Sequence, residues 1–170
     1  MSMVKVAVLA ATMVAVTAPA ASAHEDGGGW VPTSTPPFRV PAGVICPFEV
    51  RGDIVADDER MRTLAAFPDG TARVQDFEGR LVIRFVNTSN GHSAVRDATG
   101  RVRAYTFVDG TLLWQIHGNA AVPVRRPNTP ALPPGDYIVR GDFVLVIHPD
   151  HTKELPVRLG TMEDMCRTIA

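Results

Sequence analysis

Residues 101–117 have the sequence RVRAYTFVDGTLLWQIH, in which two apolar-rich runs flank the pair Asp109-Gly110. In the second run Leu112, Trp114 and Ile116 occupy alternate positions, and this period places side chains on one face of a β-strand. An Asp-Gly pair supplies the left-handed backbone that a tight hairpin requires. The stretch therefore predicts an antiparallel hairpin with an apolar face.

Similar runs extend over most of the chain after residue 43. They cover residues 44–51, 60–67, 71–77, 81–87, 101–108, 111–117, 137–140, 143–148 and 155–159. Turns between them are assigned to Asp69-Gly70, Glu78-Gly79, Asn90-Gly91, Thr99-Gly100, Asp109-Gly110 and Gly141-Asp142. Short strands with tight turns predict an all-β fold. We expect a single antiparallel meander curled into a barrel, with a β-sandwich as the alternative if residues 118–135 form a crossover.

Alternation within the runs also predicts the centre of the core. The apolar residues that share a strand face are Leu81, Ile83, Phe85, Leu112, Trp114, Ile116, Phe143, Leu145 and Ile147. Burial of such a face is the main favourable contribution to the folding of a domain of this size.

The last ten residues predict a short helix. Thr161, with the acidic Asp164 three positions later, matches a helix N-cap. The apolar positions that follow at helical spacing are Met162, Met165, Cys166 and Ile169. We expect this helix to pack on the sheet and close the domain.

Residues 1–23 have the features of a signal peptide: a positive start, an apolar run and the small residues Ala21-Ser22-Ala23. The run is too short to anchor the chain in a bilayer. We therefore expect a secreted monomer that has no membrane span after cleavage. Residues 24–43 are rich in glycine and proline and are predicted to be a flexible linker, and residues 44–170 to be one β domain.

The chain contains two cysteines, Cys46 and Cys166, and both remain after signal cleavage. In an oxidising compartment an even pair is expected to form a disulfide. The bond would join the two ends of the predicted domain and hold the helix that contains Cys166 against the sheet.

Charge and motifs exclude several classes of function. The formal net charge is −1, and basic and acidic residues are interspersed, so no basic stripe for nucleic acid is present. No serine lies in a Gly-x-Ser-x-Gly motif. His148-Pro149-Asp150-His151 brings together two imidazoles and a carboxylate, but a metal would need a further ligand, such as His92 or His117. We assign no catalytic residue, metal or cofactor.

Residues 118–135 form a long proline-rich connection that contains Arg125-Arg126. Long connections on a rigid scaffold are typical of binding loops. We therefore predict a non-catalytic module that binds an unidentified small molecule or protein. The candidate binding residues are Trp114, His117, Arg125, Arg126, Tyr137 and His148.

Two other functions are considered. A small secreted enzyme, a hydrolase or isomerase, would use His117, His148 and a carboxylate that meet inside a barrel. An inhibitor or a cell-surface interaction protein would present residues 118–135 to a partner. The first alternative requires the two imidazoles to converge, and the second requires an exposed loop.

Several segments resemble a group of small secreted actinobacterial proteins that have no assigned function. Beside the signal-like start and the proline-rich spacer, the resembling segments are Pro41-Ala42-Gly43-Val44-Ile45-Cys46-Pro47-Phe48, Phe67-Pro68-Asp69-Gly70, residues 81–87, residues 109–114 and Cys166 near the end. The resemblance covers most of residues 40–170. It implies a β architecture with paired cysteines, and it implies no catalytic residue.

Overall fold

The computed structural model describes residues 28–170, and the predicted signal peptide lies outside the described residues. In this part of the chain the strands are β1 (Val31–Pro32), β2 (Phe38–Val40), β3 (Val50–Asp57), β4 (Arg60–Ala66), β5 (Ala72–Gly79), β6 (Leu81–Asn87), β7 (Ser93–Asp97), β8 (Gly100–Thr106), β9 (Leu112–Val124), β10 (Gly135–Ile147) and β11 (Lys153–Asp164). A single helical turn, α1 (Met165–Thr168), follows β11 directly. The predicted all-β class with a short C-terminal helix is confirmed.

The strands form two antiparallel sheets. The larger has the order β1-β4-β5-β8-β9-β10-β11, and the smaller has the order β2-β3-β6-β7. The sheets are not closed into a barrel but are arranged like a sandwich. The alternative architecture is therefore the one that the chain adopts.

The two sheets are one meander with three corners. β3 passes into β4 through Asp58-Glu59, β5 into β6 through Arg80, and β7 into β8 through Ala98-Thr99. We can count β3 with β4, β5 with β6, and β7 with β8 as three bent strands. From β2 onward, each strand then pairs with the next one along the chain. The predicted meander is thus confirmed, and its corners divide it into two layers. The sandwich therefore forms without a crossover through residues 118–135, which was the condition stated for that alternative.

Five glycines in direct register cross the larger sheet near these corners. The cross-strand pairs are Gly79 with Gly100, Gly100 with Gly118, Gly118 with Gly141, and Gly141 with Gly160. We call this set the glycine row. A Cβ at Gly100 would lie 2.2 Å from the carbonyl oxygen of Asn119, and one at Gly160 would lie 2.0 Å from that of Arg140. At four of the five glycines a Cβ would lie within 2.4 Å of a backbone oxygen, and at Gly118 the nearest atom would be 3.2 Å away, so neighbouring backbones approach very closely along the row.

Three of the predicted turns are wrong, because their glycines belong to the glycine row. Glu78-Gly79 and Thr99-Gly100 lie at strand ends beside corners, and Gly141-Asp142 lies inside β10. Residues 137–140 and 143–148 consequently belong to one strand that ends at Ile147. The error has a physical cause, because glycine is favoured both in tight turns and where two backbones approach closely.

Other boundaries also differ from the prediction. β9 continues to Val124, so the irregular part of the predicted loop is only residues 125–134. Helix α1 begins at Met165, because Asp164, not Thr161, accepts the hydrogen bond from the backbone N–H of Cys166 at 2.9 Å. Thr161 and Met162 belong to β11 instead.

Residues 28–43, part of the predicted linker, contribute β1 and β2 to the two sheets. The Trp30 ring packs against two guanidinium groups, at 4.8 Å from Arg60 and 4.6 Å from Arg62. Phe38 lies over Gly52, its cross-strand partner, and contacts the edge of Phe85 at a centroid distance of 6.2 Å. These aromatic contacts explain why a segment rich in proline and glycine becomes ordered on the domain.

Buried side chains form two clusters. The first joins the two sheets and α1 and contains Ile45, Cys46, Val50, Leu81, Ile83, Phe85, Ala98, Ile138, Met165 and Ile169. The second belongs to the larger sheet and contains Ile116, Val122, Val124, Leu132, Tyr137, Val139, Phe143, Leu145 and Leu155. Of the predicted core residues, Leu112, Trp114 and Ile147 are only half-buried, and the others are buried.

The predicted disulfide between Cys46 and Cys166 is present, with a Cα–Cα distance of 5.3 Å. Two further contacts hold the end of the chain: the Asn87 side-chain amide donates to the carbonyl oxygen of Ile169 at 3.0 Å, and Nδ1 of His92 lies 2.8 Å from the carbonyl oxygen of Ala170. Among residues 28–170, no helix has the length and apolar character needed to cross a membrane.

Three hairpin turns share one construction. They are residues 67–71, 107–111 and 148–152, which join β4 to β5, β8 to β9 and β10 to β11. In each turn the backbone N–H of the final threonine donates to the aspartate two residues earlier, at 2.9 Å. The residue between them has a positive φ: 87° at Gly70, 85° at Gly110 and 67° at His151. The pattern Asp-Gly-Thr predicts two of these turns. The third lacks the pattern, because His151 occupies the position of the glycine.

Candidate functional site

A cavity of about 560 Å³ lies between the two sheets. One wall is formed by Leu81, Ile83 and Ala98, with Phe38 and Val40 of β2 beside them. The facing wall comes from the part of β9 after Gly118, where the strand pairs with β10 but no longer with β8. This volume is within the usual range for a small-molecule site.

Asp136 is the buried polar side chain that lines this cavity. It lies on β10 opposite Pro123, lines the cavity and is only 2% exposed. Its Oδ2 has no hydrogen-bond partner among the described residues. Burial raises the pKa of this carboxyl to about 7, against the favourable field of Lys153 and with a further increase from Asp164. A buried acid without a partner is unfavourable for folding, so its position is informative.

Asp136 is not among the residues that the sequence predicts as functional. It follows Pro133-Pro134-Gly135, a composition typical of a turn, and the predicted strand began only at Tyr137. Alternation could have indicated its burial. Asp136 and the fully buried Ile138 are two positions apart, so their side chains lie on the same face of the strand. A carboxylate on the buried face of a strand is a candidate functional group.

Other charged groups lie around the cavity. Glu59, at a corner between the sheets, accepts a hydrogen bond from Oγ1 of Thr35 at 2.6 Å, and burial raises the pKa of its carboxyl. Arg125 lines the cavity from the exposed loop that follows β9. Lys153 is outside the lining; burial lowers the pKa of its ammonium group, which donates to the carbonyl oxygen of Pro123.

Of the six predicted binding residues, Trp114 and Arg125 line the cavity. Tyr137 belongs to the second core cluster, where its hydroxyl donates to the carbonyl oxygen of Pro133 at 3.0 Å. Arg126 is exposed, and its backbone N–H donates to Val44 at 3.1 Å. These two residues lie outside the cavity lining.

The two predicted histidines lie elsewhere and do not converge. His117 bonds to Asp142, its cross-strand partner, on the exposed surface of the larger sheet. His148 is at the beginning of the β10–β11 turn, and its Nε2 lies 3.4 Å from Oε1 of Glu154. The described residues 28–170 contain no group of three or more His, Cys, Asp or Glu side chains arranged to hold a metal.

A second polar surface covers the outer side of the larger sheet. Asp76, 9% exposed, accepts hydrogen bonds from Arg62 and Arg103, and the two guanidinium groups lower the pKa of its carboxyl. In the adjacent row Glu78 pairs with Arg60 and Arg101. Because these charges alternate in sign across neighbouring strands and form ion pairs, we interpret them as part of the sheet's own stabilisation.

In comparisons with protein-family models, curated proteins and solved structures, no family, relative or structure matches this chain. The chemistry of the cavity is therefore inferred from this chain alone.

Proposed function

We propose that this protein is a binding module that takes up a small, largely apolar molecule in the cavity between its sheets. The observation that carries the proposal is the buried, unpartnered carboxylate of Asp136 in a cavity whose interior walls are largely apolar. A pocket lined mostly by apolar residues with a few well-placed polar groups is the usual form of a small-molecule site.

Stability considerations support the same assignment. Replacing Asp136 with a neutral side chain would remove the energetic penalty of burying a charge, so the residue is unfavourable for the fold. Residues of this kind are typical of functional sites, where binding compensates for the lost stability. Trp114 and Arg125, two of the residues predicted from sequence, lie on the same cavity.

The proposal can be tested with four probes of nearly equal size: toluene, benzyl alcohol, benzylamine and benzoate. We expect at least one to bind and to shift the backbone amide NMR signals of cavity residues such as Ala121 and Asp136. Ala121→Phe should block that binding, since Ala121 lines the cavity. Ala66→Phe is the matched control, because Ala66 is exposed on β4. Absence of cavity shifts with all four probes would contradict the proposal.

We also propose that the module acts outside the cell. The disulfide between Cys46 and Cys166 supports this setting, because such bonds persist in oxidising compartments. The signal-like residues 1–23 point the same way. Expression of the full chain in a bacterium, followed by N-terminal sequencing of the exported product, should give a mature protein that begins near His24. Retention of uncleaved chain in the cytoplasm would contradict this.

A further inference from the structure

We propose that the ligand of this cavity is an organic cation whose ammonium group is bound by Asp136. The inference rests on the proposed function and names the chemical class of its ligand. It depends on the position of Asp136, on the charges near it and on the aromatic residues that line the same space.

No described residue neutralises Asp136 directly. Its Oδ2 has no hydrogen-bond partner among the described residues. The ammonium group of Lys153 donates to the carbonyl oxygen of Pro123 and acts on Asp136 only through its field, without a hydrogen bond to the carboxylate. A ligand that carries a positive charge and N–H donors would give the Asp136 carboxylate the charge-assisted hydrogen bond that it lacks.

The remaining charges around the cavity agree with a cationic ligand. Arg39 donates to Glu49 outside the cavity at 2.9 Å, and Glu78 pairs with arginines of the outer surface. Glu59 and Asp136 therefore face Arg125, which is exposed to solvent. Lys153 and Asp164 also act on Asp136, with opposite signs, so together they add no net negative charge. An anion would meet two carboxylates, and their repulsion would be strong at a site of low polarity.

Aromatic rings contribute a second element of recognition. Phe77 and Trp114 line the cavity, together with Phe38 of β2. The faces of such rings attract cations, and the attraction is stronger where the cation is shielded from water. The same rings also provide apolar surface for a ring or a short alkyl chain. An amine attached to an apolar body matches both features.

The four probes distinguish this inference from the proposed function. Benzylamine and benzyl alcohol differ in one polar group, and benzoate carries the opposite charge. By isothermal titration at pH 8, we expect benzylamine to bind at least about tenfold more tightly than benzyl alcohol, as expected for a charge-assisted hydrogen bond. Benzoate should show no binding.

A matched pair of variants tests the role of Asp136. Asp136→Asn should weaken benzylamine binding about tenfold or more and leave the affinity for benzyl alcohol within about threefold. Asp142→Asn, which removes an exposed carboxylate outside the cavity, should leave both affinities unchanged. A thermal melt of each variant confirms that it is folded.

The outcomes separate the two proposals. Equal binding of benzylamine and benzyl alcohol, or an unchanged benzylamine affinity in Asp136→Asn, would overturn the cation assignment, while the cavity would remain a binding site. No binding of any probe would overturn the proposed function itself. Tight binding of benzylamine that is lost specifically in Asp136→Asn would establish both.

Discussion

At the scale of single residues, Asp136 is unusual because its side chain opposes folding. A carboxyl whose pKa is raised in the folded state holds its proton at pH values where the unfolded chain has already lost it. For Asp136 this interval runs from the ordinary carboxyl pKa of 3.8 to about 7. Within it the folded state binds more protons than the unfolded state, so its contribution to stability falls as the pH rises.

We therefore expect Asp136→Asn to stabilise the protein at neutral pH. The penalty removed is at most about 4 kcal/mol, because one pKa unit corresponds to about 1.4 kcal/mol. Urea unfolding of the wild type and the variant at pH 4 and pH 8 measures the effect. The difference in unfolding free energy between the two proteins should be larger at pH 8. An equal difference at both pH values would show that Asp136 is solvated.

The backbone conformation of His151 leads to a second prediction at this scale. It has a φ of 67° at the turn position that glycine occupies in the two equivalent hairpins. His151→Gly should relieve this strain and raise the unfolding free energy by about 0.5–1 kcal/mol. Gly110→His is the reciprocal control and should lower it. If both variants left the unfolding free energy unchanged, backbone strain at this position would be negligible.

At the scale of elements, the glycine row decides how closely the strands of the larger sheet approach. Gly160→Ala places a Cβ 2.0 Å from the carbonyl oxygen of Arg140, whereas Gly29→Ala meets no atom within 4 Å. Because a backbone atom cannot move aside cheaply, we expect Gly160→Ala to reduce the unfolding free energy by about 2 kcal/mol or more. Gly29→Ala should change it by less than about 0.5 kcal/mol. Similar losses in both variants would contradict this role.

Helix α1 depends on the disulfide. A single turn of helix is unstable in water without tertiary contacts. Closing a loop of 120 residues stabilises the folded state by about 5 kcal/mol in the chain-entropy model. Cys166→Ser should therefore lower the melting temperature and speed amide hydrogen exchange in residues 161–170. Unchanged melting of the wild type on full reduction would contradict this dependence.

At the scale of the whole molecule, an ion cluster joins the edges of the two sheets. Glu163 on β11 accepts hydrogen bonds from Arg96 on β7 at 2.7 Å and from Arg140 on β10 at 3.0 Å. The hydrogen bonds from Arg96, with those from Arg140 and Thr168, lower the pKa of this carboxyl to about 2. β7 and β11 are the terminal strands of their sheets, so the cluster holds the open side of the sandwich.

Glu163→Gln should destabilise the protein at neutral pH. A depressed pKa gives stability that is present above the unfolded value of 4.5 and is lost as the pH falls toward about 2. After allowance for solvent screening, we expect a loss of about 2 kcal/mol at pH 7 that disappears near pH 2. Glu49→Gln removes an exposed pair with Arg39 and should cost less than about 1 kcal/mol. A pH-independent loss in Glu163→Gln would contradict the electrostatic explanation.

Much of this fold follows from local patterns. Alternation of period two identified the strands, and Asp69-Gly70 and Asp109-Gly110 identified two hairpin turns, because these signals depend on residues near each other in sequence. The two cysteines similarly allowed one disulfide, since no other pairing exists within the chain. The class of fold and its covalent link could therefore be predicted without coordinates.

The corners, the cavity and its buried carboxylate depended on contacts between distant strands. Gly79 and Gly141 have the same local chemistry as turn glycines, and their role became clear only from the register of five strands. Asp136 follows a turn-like segment, and the cavity that it lines is completed by residues of β6 and β2, which are far away in sequence. Burial is a property of the packed chain, so no local pattern could show that this carboxylate lies inside a cavity.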